Sequence, residues 1–314
     1  MNTSFFIPAY NCSETIEESV NSIMGENFSD GDELVVVNDC STDSTTDVLQ
    51  KLQARYPLIK VFHNHRNKEG AATRNIAIEH CIHPVVFCLD SDNILAPSSI
   101  HKLKQFMNET DADVASFQEL FYFRKNVSEV DFKWTFKTGI YSIEDHFSTK
   151  QVPGASGNYM FTKESWLKAG QYPEFAGALD TWGFGLRQVM SGAKIHVMPN
   201  SFYFHRYSHE SYWMRDAESR KSSVSLRALQ ILMPFFDQID DKDIDYMMSP
   251  EGRYTWFNNL EKHHIRLINK VKKRAIWEKN SNDENNQNTN ILLSTVNRVM
   301  KKLANYAYNI TGKS

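Results

Sequence analysis

A chain of 314 residues, 41% hydrophobic and 23% charged, is long and apolar enough for one large α/β domain with an extension, or for two domains. Its formal net charge of −3 excludes a nucleic-acid-binding body, and four scattered cysteines without a CxxC pair argue against a disulfide framework or zinc site and for a reducing compartment. The opening "MNTSFFIPAY" lacks the basic flank and long apolar stretch of a signal peptide, and no apolar run approaches the roughly 18 residues that span a bilayer, so a cytoplasmic protein is expected.

In chain order, "TSFFIP" reads as a strand, followed by a helix with Ser13 as N-cap and Ile16, Val20, Ile23 and Met24 on one face. "ELVVVN" is a second strand, and the helix after it carries Val48, Leu49 and Leu52 and stops before Pro57. "IKVFHN", the helix "AATRNIAIEHC" and the strand "PVVFCLD" come next, then a helix from Pro97 to Met107 and the strand "ADVASFQEL". Alternating strands and helices with near-continuous apolar strands predict an α/β fold, its mainly parallel central sheet covered by helices on both faces. Ligands in such sheets bind at the carboxyl ends of strands. Tyr10 and Asn11, Asn38 and Asp39, and Asp90 and Asp92 occupy three such ends.

From about residue 121 to 205 the pattern is mixed and aromatic-rich, with "GASGNYMF" and "GAKIHVMPN" as strand candidates and a long helix expected from Tyr212 to Phe236. Residues 280–290, "NSNDENNQNTN", form a polar linker with almost nothing to bury. The final "ILLSTVNRVMKKLANYAYNI" aligns Leu292, Val296, Val299, Leu303 and Ile310 on one helical stripe. This gives a domain at 1–235, with halves at 1–120 and 121–235, and a helical C-terminal extension at 236–314. From Glu261 onward eleven Lys or Arg face four Asp or Glu. The tail therefore reads either as a contact with an anionic membrane surface or as a helix packed on the body or a partner.

Asp90 and Asp92 are the sharpest chemical signal. Residues i and i+2 of an extended chain point the same way, so their carboxylates form a hard oxygen site suited to Mg²⁺ or Mn²⁺, and the cation removes their repulsion. The motifs "FFIPAYN", "VVVNDCSTDST", "HNHRNKEGAATRNIAI", "CLDSDN", "GNYMFTKESWLKAG" and "DTWGFGLR", in this order, resemble a family 2 glycosyltransferase of the GT-A fold; the similarity runs from Thr3 to Arg206. It implies an inverting enzyme that takes a nucleotide-diphosphate sugar, by analogy UDP-linked, and glycosylates a saccharide or glycolipid hydroxyl with a divalent metal held at the Asp-x-Asp. Surface polysaccharide or lipopolysaccharide synthesis is the setting implied, with the enzyme cytoplasmic or peripheral to the inner membrane face.

Carried over position by position, the resemblance implies that Pro8, Tyr10 and Asn11 line the nucleoside and that Asp39 accepts a hydrogen bond from the base, with Asn38 standing where the family often has Asp. Arg74 either reaches the diphosphate or fixes the loop carrying Asp90. Asp90, Ser91 and Asp92 form the donor loop, with Asp90 and Asp92 as metal ligands and His205 as a further ligand or a satisfied structural histidine. Asp180 matches the catalytic base and also suits a helix N-cap, while Leu179 replaces the acid that often precedes it. Arg206 or His209 could contact the diphosphate, and Trp182, Tyr212 and Trp213 stack on sugars or belong to the core. The rival readings are a nucleotide-sugar-binding protein without activity and a sugar nucleotidyltransferase. The latter calls for a Gly-x-Gly-x-Arg opening, where this chain has "IPAYN".

Overall fold

A computed structural model describes residues 1–208, 212, 224–263 and 265–267. The expected basic stretch, polar linker and terminal helix, with His209 and Trp213, lie outside the described residues. The elements run β1 (Ser4–Ala9), α1 (Ile16–Met24), β2 (Glu33–Asn38), α2 (Thr45–Arg55), β3 (Ile59–His63), α3 (Glu69–His80), β4 (Val85–Cys88), β5 (Ile94–Leu95) and α4 (Ser99–Glu109). Then follow β6 (Val114–Phe123), β7 (Val130–Thr135), β8 (Gly139–Tyr141), α5 (Ile143–Ser148), α6 (Pro153–Ser156), β9 (Met160–Thr162), α7 (Lys163–Lys168), α8 (Asp180–Met190) and β10 (Ile195–Arg206).

The expected α/β architecture is present. The sheet order is β3-β2-β1-β4-β9-β6-β10-β5, parallel through β3-β2-β1-β4. Every residue of β2 is buried, as is every residue of β1 except Pro8, which is why these strands read as unbroken apolar runs. Proline lacks an N–H, yet Pro8 is tolerated beside the sheet's centre for a local reason. The Phe6 carbonyl faces the β4 side, where it accepts from Leu89 N–H at 3.0 Å, so Pro8, two residues on, faces that side too, beyond the pairing that β4 provides.

Strand β9 is antiparallel to both β4 and β6, and β10 is parallel to β6. The carboxyl ends of β6 and β10 therefore emerge at the same edge as those of β1, β2 and β4. Phe5, Phe87, Phe117 and Tyr203 make successive ring contacts at 5.8–6.2 Å through the buried centre.

Three local expectations need correction. Ser13 does not cap α1; Cys12 O holds the N–H groups of Thr15 and Ile16, and the Ser13 N–H donates to Asp43. Asp43 also accepts from Thr45 N–H, and these bonds, against some burial, hold its carboxyl down at about 2. "GASGNYMF" is a strand only from Met160, because Pro153 opens the short α6 and Gly157 turns with φ +75°. The long helix expected to reach Phe236 is α-helical over Val224–Leu232 and passes into a 3₁₀ turn at Met233–Gln238, since a proline at 234 cannot continue the α-helical bond ladder. Apolar residues of 224–263 and 265–267 share the core of the sheet body: Phe257 packs edge-on against Trp182 at 4.8 Å, and Trp256 Nε1 donates to Ser225 O at 2.7 Å.

Candidate active site

The three polar clusters predicted from the sequence converge at the carboxyl edge, where strand order reverses about β1. Asn11, with φ +48°, accepts the Thr42 N–H on Oδ1 at 2.8 Å and donates its own N–H to Ser41. This ties the loop after β1 to the loop after β2 and leaves Tyr10 exposed at the rim. Asp39 is buried, and its carboxylate accepts the Lys68 N–H at 2.9 and 3.0 Å and Asn64 Nδ2 at 2.7 Å. It thus fastens the segment leading into α3, which brings Arg74 under the loop of Asp90 and Asp92.

Arg74 joins the two halves. Its Nη2 donates to Asp90 Oδ1 and its Nη1 to Asp180 Oδ2, both at 2.7 Å, across 16 and 106 residues of sequence. Burial opposes its charge, but the two carboxylates hold its pKa well above the ordinary value. Asp180 opens α8 and accepts the Thr181 N–H on its other oxygen at 2.8 Å. Burial raises its pKa even against Arg74. Gly70 leaves the room: a Cβ there would stand 2.7 Å from Arg74 Nη1 and 3.2 Å from Asp180 Oδ2.

Asn158, which the sequence reading did not single out, completes the Asp90 loop. Fully buried, it accepts the Asp90 N–H on Oδ1 at 2.6 Å and donates Nδ2 to Asp90 Oδ2 at 2.9 Å and to Ser156 O at 2.7 Å. Its only signal in the sequence is a lone asparagine after the Gly157 turn. A Cβ at Gly157 would meet Asp90 Oδ2 at 3.2 Å.

Asp92 is the carboxylate left over. Burial and then the neighbouring Asp90 push its pKa up to about 7, and among the described residues no side chain is hydrogen-bonded to it. Ser91 O accepts from Thr15 Oγ1 at 2.9 Å, and Asn93 is locked by Arg206 N–H on Oδ1. Arg206, considered from the sequence as a diphosphate contact, is engaged by protein groups. It donates to Asp92 O at 3.1 Å and to Arg124 O, pairs with Glu18, and lies over the Phe123 ring at 4.5 Å, so it holds the loop in place. His205 Nδ1 stands 3.3 Å from both Asn93 Nδ2 and the Tyr203 hydroxyl, and burial lowers its pKa to about 4, keeping it neutral. Trp182 is buried in the core rather than presented to a sugar.

The residues fit a divalent ion of the Mg²⁺ or Mn²⁺ kind. No three His, Cys, Asp or Glu side chains among the described residues form a closed cage. An ion that keeps phosphate and water oxygens needs only one or two protein carboxylates, and Asp92 has free lone pairs in a place where a positive charge relieves its burial.

Residues 4–170, more than half of the chain, match the family described as Glycosyl transferase family 2. The chain belongs to this family. Within it, TarS of Staphylococcus aureus, a poly(ribitol-phosphate) β-N-acetylglucosaminyltransferase, is 32% identical over 116 residues, 36% of this chain and 20% of that one. Chondroitin synthase of Escherichia coli is 35% identical over 97 residues, 31% of this chain and 14% of that one. The chain spans less than half the length of the curated relatives it matches. The crystal structure of S. aureus TarS residues 1–349 in complex with UDP-GlcNAc superposes with a TM-score of 0.60 at 20% identity, covering 83% of this chain and 72% of that one. This family 2 member therefore has the GT-A type fold that its motifs imply. Among its described residues no helix is long and apolar enough to cross a membrane.

Proposed function

We propose that this family 2 member transfers a sugar, with inversion, from a UDP-linked donor to a hydroxyl of a saccharide or glycolipid acceptor in surface polysaccharide assembly. The observation that carries the reading is the convergence of Asp90, Asp92 and Asp180 around Arg74 at the carboxyl edge of the sheet. The UDP-GlcNAc complex of TarS and the relatives' names support the donor and acceptor classes.

Asp92, with Asp90 beside it and His205 behind the loop, would hold Mn²⁺ or Mg²⁺. The bound ion would neutralise charge on the donor diphosphate and its leaving group. Tyr10 stands exposed at the rim for a nucleobase, beside the Pro8–Asn11 turn and the Asp39-anchored loop. Asp180 is the base: a carboxylate has about four acceptor sites, so with Arg74 and Thr181 N–H bound it keeps capacity for the acceptor proton. Burial makes it a stronger base than a solvated carboxylate. Arg74 holds Asp180 and Asp90 in one geometry, fixing the base relative to the donor loop.

Asp92→Ala is expected to remove both transfer and manganese-dependent UDP binding, whereas Asp180→Asn removes transfer and leaves UDP binding in place. Calorimetry with UDP and Mn²⁺, paired with a donor-hydrolysis assay, separates the two. Normal turnover by Asp180→Asn would assign the base elsewhere. The membrane-surface role of the basic tail rests on its sequence; loss of liposome flotation on deleting residues 281–314 is the result it requires.

A further inference from the structure

Strands β6 and β10 run on well past the short β9, which pairs with β6 only at Val114 and Ala115. With β7 they form an arm beyond the body of the sheet. One face of the arm carries Tyr203 and His205, and this face is turned toward the loop of Asp90 and Asp92: Tyr203 OH donates to Ser156 O beside Asn158, and His205 Nδ1 meets Asn93. Strand alternation and register put Tyr122 and then Phe132 and Trp134 on that same face. Tyr122 packs against His205 at 4.6 Å, stacks on Phe132 at 4.4 Å and leans on Trp134 at 5.3 Å, and Phe132 meets Tyr207 at 5.3 Å. An aromatic surface thus leads outward from the residue next to Asp92 to Phe132, which is 46% exposed.

Folding does not account for the outer half of this surface. Five of the six β7 residues are exposed, and an apolar edge strand left open to water invites association. The rim is polar: Arg124 pairs with Asp131 at 3.0 Å and lies 5.8 Å from the centre of the Tyr207 ring. A pyranose has the matching chemistry. Its C–H face is apolar and weakly positive and lies well against the negative face of an aromatic ring, while its hydroxyls project sideways to charged acceptors and donors.

Resting on the proposed transferase reading, we infer that Phe132, Trp134 and Tyr207, backed by the buried Tyr122, form the platform on which the saccharide acceptor lies, with its reacting end directed past His205 toward the donor loop. A lipid surface or a second copy of the chain are the other occupants such a face could take.

The full chain labelled with 5-fluorotryptophan, with Trp134→Phe assigning one resonance, tests this directly by ¹⁹F NMR. Chondroitin hexasaccharide and chitotetraose are the saccharide probes, phosphatidylglycerol vesicles the lipid probe, and serial dilution the probe for self-association. At least one saccharide is expected to shift the Trp134 resonance, with Phe132→Ala weakening its binding about tenfold and Lys133→Ala, on the opposite face, leaving it unchanged. Silence toward both saccharides, or a shift produced by vesicles or dilution instead, overturns the platform. Calorimetry with UDP and Mn²⁺ on the same preparation reads the donor site separately. UDP binding without a saccharide response defeats the platform alone, whereas a saccharide response without UDP binding defeats the donor reading and leaves the platform standing.

Discussion

The donor edge and the aromatic arm lie side by side on one sheet and are built on opposite terms. At the donor edge, Asp39, Asp90 and Asp180 are each held by at least two hydrogen bonds of 3.0 Å or less. On the arm, rings meet at 4.4–5.3 Å with no directional bond between them. Charges that must meet a phosphate or accept a proton work only if they are fixed beforehand, because reorienting them during reaction would cost the stabilisation they supply. Stacking tolerates small displacements, so a surface that follows a varied polymer needs no such scaffold. Precision and adaptability are thus divided between neighbouring parts of one fold.

The contrast can be broken most severely at Arg74. Arg74→Met leaves the buried Asp180 and the half-buried Asp90 without their cation, and a loss of roughly 3–5 kcal/mol is expected by urea denaturation, together with loss of transfer. Unchanged stability and turnover would mean that the donor edge is not held by charge. Arg74→Lys, lacking the planar fork, should recover part of the stability and little of the turnover.

His146 comes next. It is fully buried beside Tyr141 and Asp145, donates through Nδ1 to Ser142 O at 3.0 Å, and leaves Nε2 without a partner among the described residues. Burial lowers its pKa from 6.5 to about 4. The unfolded chain therefore binds this proton first. Stability is fully present above pH 6.5 and is lost as pH falls toward 4, by up to about 3 kcal/mol from this group. His146→Phe should flatten that part of the denaturation-versus-pH curve; an unaltered slope would show that other groups produce it.

Asn158→Ala should cost about 1–3 kcal/mol by leaving the half-buried Asp90 N–H and carboxylate short of partners, and should weaken manganese-dependent UDP binding. UDP affinity at the parent level would release Asn158 from any part in the donor site. The smallest effect belongs to the arm's outer face. Lys133 pairs with Glu119 at 2.6 Å near solvent, and Lys133→Ala should change stability by no more than about 0.5 kcal/mol. A larger loss would mean that the arm too is held together by charge.

Much of the donor half was legible in the sequence, because its strands are apolar on both faces and its polar residues fall where apolar runs end. "ELVVVN" and "VVFCLD" mark both a strand and the position of a site residue. Asn158 was missed because one asparagine has no periodicity and its function depends on a backbone 68 residues away. The protein partners of Arg206, Glu18 and Asp92 O, were likewise not legible, because they lie 188 and 114 residues away in the chain. The arm escaped notice because β10 carries an irregularity between Met198 and Phe202, which interrupts the alternation that would mark a twelve-residue strand.

The sequence alone determined the layered α/β architecture, the family and the carboxylate pair closing β4, since each is written in contiguous residues whose spacing sets burial and direction. Only the tertiary structure decided that Arg74 bridges Asp90 to Asp180 and that the aromatic side chains of three strands share one face. Both depend on the distance between residues far apart in the chain, and that distance is set by the packing of the whole sheet.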